Sequence, residues 1–272
     1  MTAHEGQVLF GICMPPPTQG LAAALAAAGC DYYEPPMASA VMAEGQAEFE
    51  EHLPHWSVGG LEPRSANLFL PGEHKVVGPD VDADAVKAYM AEAMRRAAAL
   101  GIERVVFGSG KAREVPAGFP RDEAYRQLKQ AVRWACEAAA AAGGNTIVCL
   151  EHLRRAETNI VNSLAEAGEI AFELDLENLG LVVDGYHLME EHEDVAVVRD
   201  VAAKVAHVHV CGPDRRPPAE SDVKYLASLF SELAGIGYRG RASIEASFAD
   251  IERQGPGALS AVRHAAEVAG LG

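Results

Sequence analysis

The sequence lacks several features that would place it in well-defined protein classes. It has no Cys-x-x-Cys pair, and its five cysteines are odd in number and fall mostly inside predicted strands and helices, so we expect reduced core thiols rather than a disulfide framework. No apolar run reaches the roughly 18 residues that a membrane helix needs. The first residues show no basic segment followed by an apolar one, so we expect no secretory leader and a cytoplasmic location.

Positive charge is also scarce. The chain has 23 Lys and Arg residues against 39 Asp and Glu residues, which gives a formal net charge of -16. A protein that binds nucleic acid needs a basic surface to displace counterions from the phosphate backbone. The charge therefore argues against a nucleic-acid partner, and it suits a cation or a neutral sugar better.

Length and composition indicate one globular domain spanning residues 1–272. The chain is 49% hydrophobic and 23% charged, and no linker, repeat or low-complexity stretch interrupts it. A single (β/α)₈ barrel typically needs about 250 residues. One such barrel fits this length, and a second domain does not.

Short apolar runs alternate with amphipathic segments along the whole chain, which is the pattern of an α/β protein with a parallel sheet. The predicted fold is a single (β/α)₈ TIM barrel. Strands are predicted at residues 8–13, 31–36, 65–70, 104–107, 146–150, 182–184, 205–209 and 242–244. Helices are predicted at residues 20–28, 42–53, 82–100, 122–142, 162–174, 194–203, 221–234 and 258–269.

Four of the predicted strands end in a residue that can bind a metal ion. These residues are Glu151, Asp184, His209 and Glu245, with separations of 33, 25 and 36 residues, each long enough for a loop, a helix and a return strand. A parallel barrel gathers the carboxyl ends of its strands on one face, so the four side chains can converge there. Three carboxylates and one imidazole suit one divalent ion, Mn²⁺ first, with Mg²⁺, Co²⁺ or Zn²⁺ as alternatives.

Three further residues lie near strand ends. For Glu34 and His207 we consider a functional and a structural role, and for His152 we expect no role in a site. Glu34 closes strand two, where it either contacts a substrate hydroxyl or has a structural role. His207 lies two residues before His209 and points the same way in a regular strand, which favours a packed residue inside the barrel over a second ligand. His152 is expected to be a solvated loop residue.

Taken together, these residues resemble the xylose isomerase-like TIM-barrel superfamily, in particular the sugar phosphate isomerase/epimerase group that includes D-tagatose 3-epimerase and inosose dehydratase. The resemblance covers strands one to eight and is sharpest from residue 150 onward. It implies that the four strand-end residues bind one divalent metal ion. It also implies three substrate contacts, at Glu157, His187 and Arg215, with the adjoining Arg216 as an alternative to Arg215.

The resemblance implies proton abstraction beside a sugar carbonyl through a metal-stabilised enediolate, with Glu151 and Glu245 as the catalytic carboxylates. The expected function is thus an isomerase or epimerase of a keto sugar or related polyol. A lyase on the same metal site, such as a keto-inositol dehydratase or a carbon-glycoside-cleaving enzyme, is the alternative, followed by a non-catalytic sugar-binding barrel. Residues 109–113 and 151–155 depart from the epimerase pattern, which leaves the substrate open. The resemblance also implies a homo-oligomer.

Overall fold

Parallel strands that are buried on both faces form the centre of the molecule. The computed structural model describes residues 6–271, and within this range eight strands form one sheet in the order β2-β1-β8-β7-β6-β5-β4-β3. Parallel bridges from Tyr33 to Pro63 and from Pro36 to Asn67 join β2 to the β3 edge. The predicted (β/α)₈ barrel is therefore confirmed. The strands are β1 Leu9–Cys13, β2 Tyr32–Glu34, β3 Ser65–Ala66, β4 Arg104–Phe107, β5 Ile147–Glu151, β6 Leu179–Asp184, β7 Val205–Val210 and β8 Arg241–Ile244.

Helices connect the strands and cover the barrel. In α3 the side chain of Asp82 accepts a hydrogen bond from the backbone N–H of Ala85, and Gly101 ends the helix at a φ of 72°. Its buried residues recur at helical spacing and face the core. The α-helices of the described range are α1 Gln19–Ala27, α2 Gln46–His52, α3 Ala83–Leu100, α4 Gly110–Arg113, α5 Arg121–Ala141, α6 Leu164–Leu174, α7 Gly185–Glu190, α8 Val223–Gly235 and α9 Ile251–Ala269.

Two of the predicted helices are wrong as continuous elements. Within residues 42–53 only the shorter α2 is α-helical; a π-helical turn at Met37–Val41 precedes this segment and a 3₁₀ turn at Leu53–Trp56 ends it. Residues 194–203 form two 3₁₀ turns, Val195–Arg199 and Ala202–Lys204. The second segment is rich in valine, whose branched side chains disfavour a regular α-helix, so tertiary packing decides its conformation.

The last helix begins seven residues earlier than predicted, at Ile251 instead of residue 258. Pro256 and its flanking glycines indicate a break, yet the structure places Pro256 inside α9. Gly255 lies so close to α1 that a Cβ atom there would be 2.8 Å from Cδ2 of Leu25. Close packing of α9 on α1 thus compensates for the hydrogen bond that proline cannot donate.

Strands two and three are shorter than predicted. The structure ends β2 at Glu34, before two consecutive prolines that lack a donor for further pairing. Strand β3 stops at Ala66, and Leu68 adopts a φ of 50°, which lies outside the extended region.

An irregularity in β7 sets the register beside Asp184. Leu181 pairs with Val205, but the next residue, Val182, pairs with His207, so Ala206 is an extra residue in β7. Gly180 on the neighbouring strand makes room for it, because a Cβ atom at position 180 would overlap the Cβ atom of Ala206. Beyond the extra residue, Asp184 pairs with His209.

Within residues 6–271 no helix is long and apolar enough to cross a membrane. All five cysteines fall in this range and are free thiols, as expected.

Candidate active site

Asp184 has one carboxylate oxygen that caps a helix and one that is free. It is the last residue of β6 and the N-cap of α7, and its Oδ1 atom accepts hydrogen bonds from the backbone N–H groups of Tyr186 at 2.7 Å and His187 at 3.0 Å. Its Oδ2 atom is buried and has no hydrogen-bond partner among residues 6–271. A buried carboxylate oxygen without a donor is costly, which indicates that something else binds there.

Four residues at the carboxyl ends of β5, β6, β7 and β8, namely Glu151, Asp184, His209 and Glu245, meet at this oxygen. Nδ1 of His209 lies 3.1 Å from Oε1 of Glu151, 3.8 Å from Oδ2 of Asp184 and 3.7 Å from Oε2 of Glu245. One ligand atom from each residue lies within 4.8 Å of the other three. Ligand atoms that share one ion at about 2.1 Å are separated by roughly 3–4 Å. The donor set and its spacing therefore fit one divalent cation.

The electrostatics of this cluster also favour a cation. Burial and the neighbouring charge of Glu245 raise the pKa of Asp184 to about 6. Burial likewise raises the pKa of Glu151, although the hydrogen bond with His209 opposes the shift. Burial alone would lower the pKa of His209, but the carboxylates of Glu34 and Glu245 outweigh it and raise that pKa well above its ordinary value. The raised pKa values of Asp184, Glu151 and His209 mean that a metal ion would compete with protons for these three groups.

Glu245 is held in place by two donors at the rim of the barrel. Nη1 of Arg215 donates to its Oε2 atom at 2.6 Å, and Nδ2 of Asn67 donates to its Oε1 atom at 3.0 Å. Burial raises the pKa of Glu245, but His209 and Arg215 outweigh this effect and lower it. His209 and Arg215 thus favour the ionised form of Glu245, and the hydrogen bonds from Arg215 and Asn67 fix its orientation.

The three residues with implied substrate contacts lie together beside the cluster. Nη2 of Arg215 donates to both carboxylate oxygens of Glu157, at 3.1 and 3.3 Å. It also lies 3.2 Å from Nε2 of His187. Of the two adjacent arginines, Arg215 bonds Glu245 in the cluster, whereas Arg216 forms two 2.6 Å hydrogen bonds with Asp222.

The hydrogen bonds of His187 determine which ring nitrogen carries its proton. Nδ1 lies 3.1 Å from the backbone nitrogen of Arg154, and Nε2 faces Arg215 and lies 3.8 Å from Oδ2 of Asp184. A neutral imidazole accepts at only one nitrogen. The backbone donor is fixed, whereas Arg215 has carboxylate partners, so we assign Nδ1 as the acceptor and place the proton on Nε2. Burial lowers the pKa of His187 and keeps the ring neutral.

An open cavity of about 510 Å³ lies over the cluster. Its volume is in the range of small-molecule sites. Charged and polar groups from Glu157, Arg215, Glu245 and Asn67 form one side, and Leu68 lies on its wall. The cavity therefore offers both polar and apolar contacts to a small ligand.

Glu34 does not have the predicted substrate-contacting position. Its side chain is completely buried beneath His209, and its carboxylate accepts hydrogen bonds from His209, His207 and Ser243. No accessible oxygen is left for a substrate, so the structural alternative holds. His207 is a packed residue inside the barrel, as favoured from the sequence.

His152 is not solvated, contrary to expectation. Its ring is completely buried and stacks edge-on against His187, with 5.9 Å between the ring centroids. Burial, together with the charges of His187 and Arg113, lowers the pKa of His152 well below its ordinary value. Its position one residue after a strand end gave no sign of this burial.

Comparison with known proteins assigns the family. The family model described as xylose isomerase-like TIM barrel matches residues 22–267. The chain belongs to the xylose isomerase-like TIM barrel family. The family predicted from the sequence is confirmed.

Curated relatives of this xylose isomerase-like barrel are sugar epimerases. The chain is 32% identical to 3-dehydro-D-guloside 4-epimerase of Escherichia coli (strain K12) over 101 residues, which are 37% of this chain and only 38% of that protein. It is 26% identical to L-ribulose 3-epimerase of Mesorhizobium japonicum over 209 residues, 71% of this chain and 68% of the relative. The solved structure of D-psicose 3-epimerase with D-tagatose from Clostridium cellulolyticum H10 superposes with a TM-score of 0.81 at 18% identity, covering 95% of this chain and 99% of that one. The superposition supports the fold alone.

Two glycines after β4 allow Glu151 and the loop that follows β5 to lie close to the backbone after β4 in this xylose isomerase-like barrel. A Cβ atom at Gly108 would overlap Oε2 of Glu151, and one at Gly110 would lie 2.7 Å from the carbonyl oxygen of Glu157. A side chain at position 108 would displace the Glu151 carboxylate, and one at position 110 would collide with the backbone of the loop that follows β5.

Three residues of the site, Asn67, Gly108 and Arg154, were not predicted from the sequence. Asn67 follows directly after β3 and Gly108 directly after β4, which is the signal that identified the four metal-ligand candidates at other strands. Arg154 donates to Glu157 at 3.0 Å and lies in a segment noted only as a departure from the epimerase pattern.

Proposed function

We propose that this protein is a divalent-metal-dependent isomerase or epimerase that acts on a keto sugar or related polyol. The observation that carries the proposal is the convergence of Glu151, Asp184, His209 and Glu245 around the Oδ2 atom of Asp184, to which no described residue donates a hydrogen bond. The sugar epimerases among its relatives support the class of reaction.

The donor set supports Mn²⁺ as the native ion, with Mg²⁺, Co²⁺ and Zn²⁺ as alternatives. Three of its four groups are carboxylates, which favour hard divalent ions, and the fourth is an imidazole. When bound, such an ion supplies Lewis-acid stabilisation of negative charge on adjacent substrate oxygens.

Glu151 and Glu245 are the proposed catalytic pair. One carboxylate takes the proton from the carbon beside the carbonyl, and the electrons of the broken C–H bond form the C=C bond of an enediolate. The other, in its protonated form, returns a proton to the opposite face, so the C–H bond and the carbonyl are restored with inverted configuration. Return of the proton at the neighbouring carbon gives isomerisation instead.

His187, Arg215 and Glu157 support the binding of the substrate. The proposed Nε2–H group of His187 donates to a substrate oxygen beside the reacting carbon, and Arg215 supplies further donors from the same side. Glu157, held by Arg154 and Arg215, accepts from a substrate hydroxyl. These contacts orient the substrate so that the reacting C–H bond faces a carboxylate.

The test is solvent deuterium exchange. Metal-stripped protein is loaded with Mn²⁺ and incubated in D₂O with a panel of ketoses, inososes and keto-glycosides, and products are followed by NMR and mass spectrometry. We expect one class of substrate to take up deuterium at a carbon next to the carbonyl without losing water or an aglycone. Glu151→Gln and Glu245→Gln should each reduce turnover by at least about 10²-fold, since general acid-base groups contribute that much.

A matched control is Glu177→Gln, which removes an exposed carboxylate just before β6, at the opposite end of that strand from Asp184. It should retain turnover within twofold. Loss of water or aglycone would assign a lyase instead, and absence of exchange with every class of substrate would favour a non-catalytic barrel. Near wild-type turnover in either Gln variant would refute the two-carboxylate mechanism.

A further inference from the structure

Beneath the metal cluster lies a second polar group, formed by Glu34, His207, Ser243 and Tyr32 around the far side of His209. Nε2 of His209 lies 3.0 Å from Oε1 of Glu34, and Nε2 of His207 lies 2.8 Å from Oε2. The hydroxyl of Ser243 bonds the same Oε2 atom. All of these side chains are completely buried.

The direction of each hydrogen bond follows from the carboxylate of Glu34. An ionised carboxylate only accepts, so Ser243 and both histidines must donate to it. The hydroxyl of Ser243 has one proton and therefore accepts from the Tyr32 hydroxyl, 2.7 Å away. Burial raises the pKa of Glu34, but His207 and His209 outweigh this effect and hold the pKa below its usual range.

We infer that Glu34 is a positioning residue that fixes His209 with its proton on Nε2. A neutral imidazole carries a single proton, and the hydrogen bond to Glu34 holds that proton on Nε2. In the metal-bound state, in which His209 is neutral, the lone pair on Nδ1 faces the space enclosed by Glu151, Asp184 and Glu245. The inference rests on the proposed metal site, since the oriented lone pair serves a metal ion.

A role in fold stability alone does not explain this arrangement. A buried carboxylate with buried donors is seldom more stable than apolar residues of similar volume, because desolvation offsets the attraction. Three donors, two of them imidazoles, share one carboxylate, and one of those imidazoles also faces the cluster. The desolvation cost of burying the Glu34 carboxylate is explained if this carboxylate fixes the orientation of His209 and keeps its proton off Nδ1.

The first measurement uses the wild-type protein and the diamagnetic probe Zn²⁺. Long-range ¹H–¹⁵N NMR spectra of the Zn²⁺-loaded protein should show His209 with its proton on Nε2 and the metal on Nδ1. A proton on Nδ1, or metal on Nε2, would overturn the inference without any variant having to fold.

The second measurement compares Glu34→Gln with Ser243→Ala by titrating metal-stripped protein with Mn²⁺ in a calorimeter. Ser243→Ala removes one donor from the same carboxylate but leaves the bond to His209, so it is the matched control. We expect Glu34→Gln to weaken Mn²⁺ binding by 10–100-fold, as the loss of such partners does, and Ser243→Ala to change it by less than about threefold.

Two outcomes contradict the inference in different ways. If the wild-type protein binds Mn²⁺ and Glu34→Gln binds it equally well, the role of Glu34 is wrong while the proposed metal-dependent function stands. If the wild-type protein itself binds no divalent ion, the metal site fails, and both proposals fail with it.

Discussion

Replacing Gly108 with alanine tests whether the position of Glu151 controls the site. The backbone of Gly108 has an ordinary φ, so alanine introduces no strain of its own. The new methyl group would overlap Oε2 of Glu151 and lie 3.3 Å from Cδ of the same side chain, while its contact with Cδ2 of Leu153 would be an ordinary 3.5 Å. The overlap is with the end of a flexible side chain, so Glu151 can move away while the backbone stays in place.

The structure therefore predicts loss of function with little loss of stability. Overpacking in a core costs about 1–3 kcal/mol, and we expect the low end of that range because the carboxylate can rotate. A displacement of about 1 Å in a catalytic group costs on the order of 10²-fold in rate. Loss of one of four metal ligands should also weaken Mn²⁺ binding by at least about 10-fold, the lower limit seen when only an outer partner is lost.

The assay combines thermal unfolding, calorimetric titration with Mn²⁺ and turnover on the substrate found by deuterium exchange. Gly257→Ala is the matched control, because a Cβ atom there meets no heavy atom within 4 Å among the described residues. That variant should be as stable as the wild-type protein or slightly more stable, since alanine favours a helix interior. Wild-type metal affinity and turnover in Gly108→Ala would refute the reasoning.

Three further predictions concern charge, pH and the metal ion. Arg215→Lys should lower kcat by about 10²-fold, because a point charge cannot bind two carboxylates as a planar guanidinium does. The control variant Arg216→Lys should keep kcat within twofold of the wild-type value. Steady-state kinetics of both variants on the same substrate would test this difference. Asp184 has a pKa of about 6 and His209 a raised pKa, so protons occupy the metal-free site at low pH and the ion must displace them. The apparent Kd for Mn²⁺ should therefore rise about tenfold per pH unit between 7 and 6, where the proton on His209 must leave, and about 100-fold per unit below 6, where Asp184 is protonated as well. Calorimetry in buffers of different ionisation enthalpy should detect at least one proton released at pH 7, and a Kd independent of pH would contradict this. Removal of metal with EDTA should lower Tm by about 5–10 °C relative to protein in Mn²⁺ at 100 times its Kd, because metal binding then stabilises the folded state by about 2.7 kcal/mol. An unchanged Tm would argue against metal binding to the folded state.

The barrel was predictable because its strands have a signal that does not depend on their neighbours. Runs such as the one ending at Asp184 are apolar, rich in valine and bounded by turn residues. The same reasoning located Glu151, His209 and Glu245, since a parallel barrel fixes which ends of its strands share a face. The structure brings these four residues together, and their role as metal ligands stays a prediction until an ion is bound.

Features that depend on packing between distant segments were not predictable. The role of Glu34 is set by His207 and Ser243, which lie 173 and 209 residues away in the sequence. Likewise, the helical position of Pro256 depends on contact with α1. The expected homo-oligomer and cytoplasmic location also stay predictions, testable by light scattering and by cell fractionation.

The additional residue in β7 makes Gly180 and Ala206 an interdependent pair. A family member that pairs its sixth and seventh strands without this insertion has space for a larger side chain at the position of Gly180. In such a protein, the residues corresponding to His209 and Asp184 would still pair, but the seventh strand would be one residue shorter. An alignment that treats position 206 as ordinary would therefore shift the histidine by one place and turn it away from the neighbouring carboxylates, since adjacent strand residues face opposite sides.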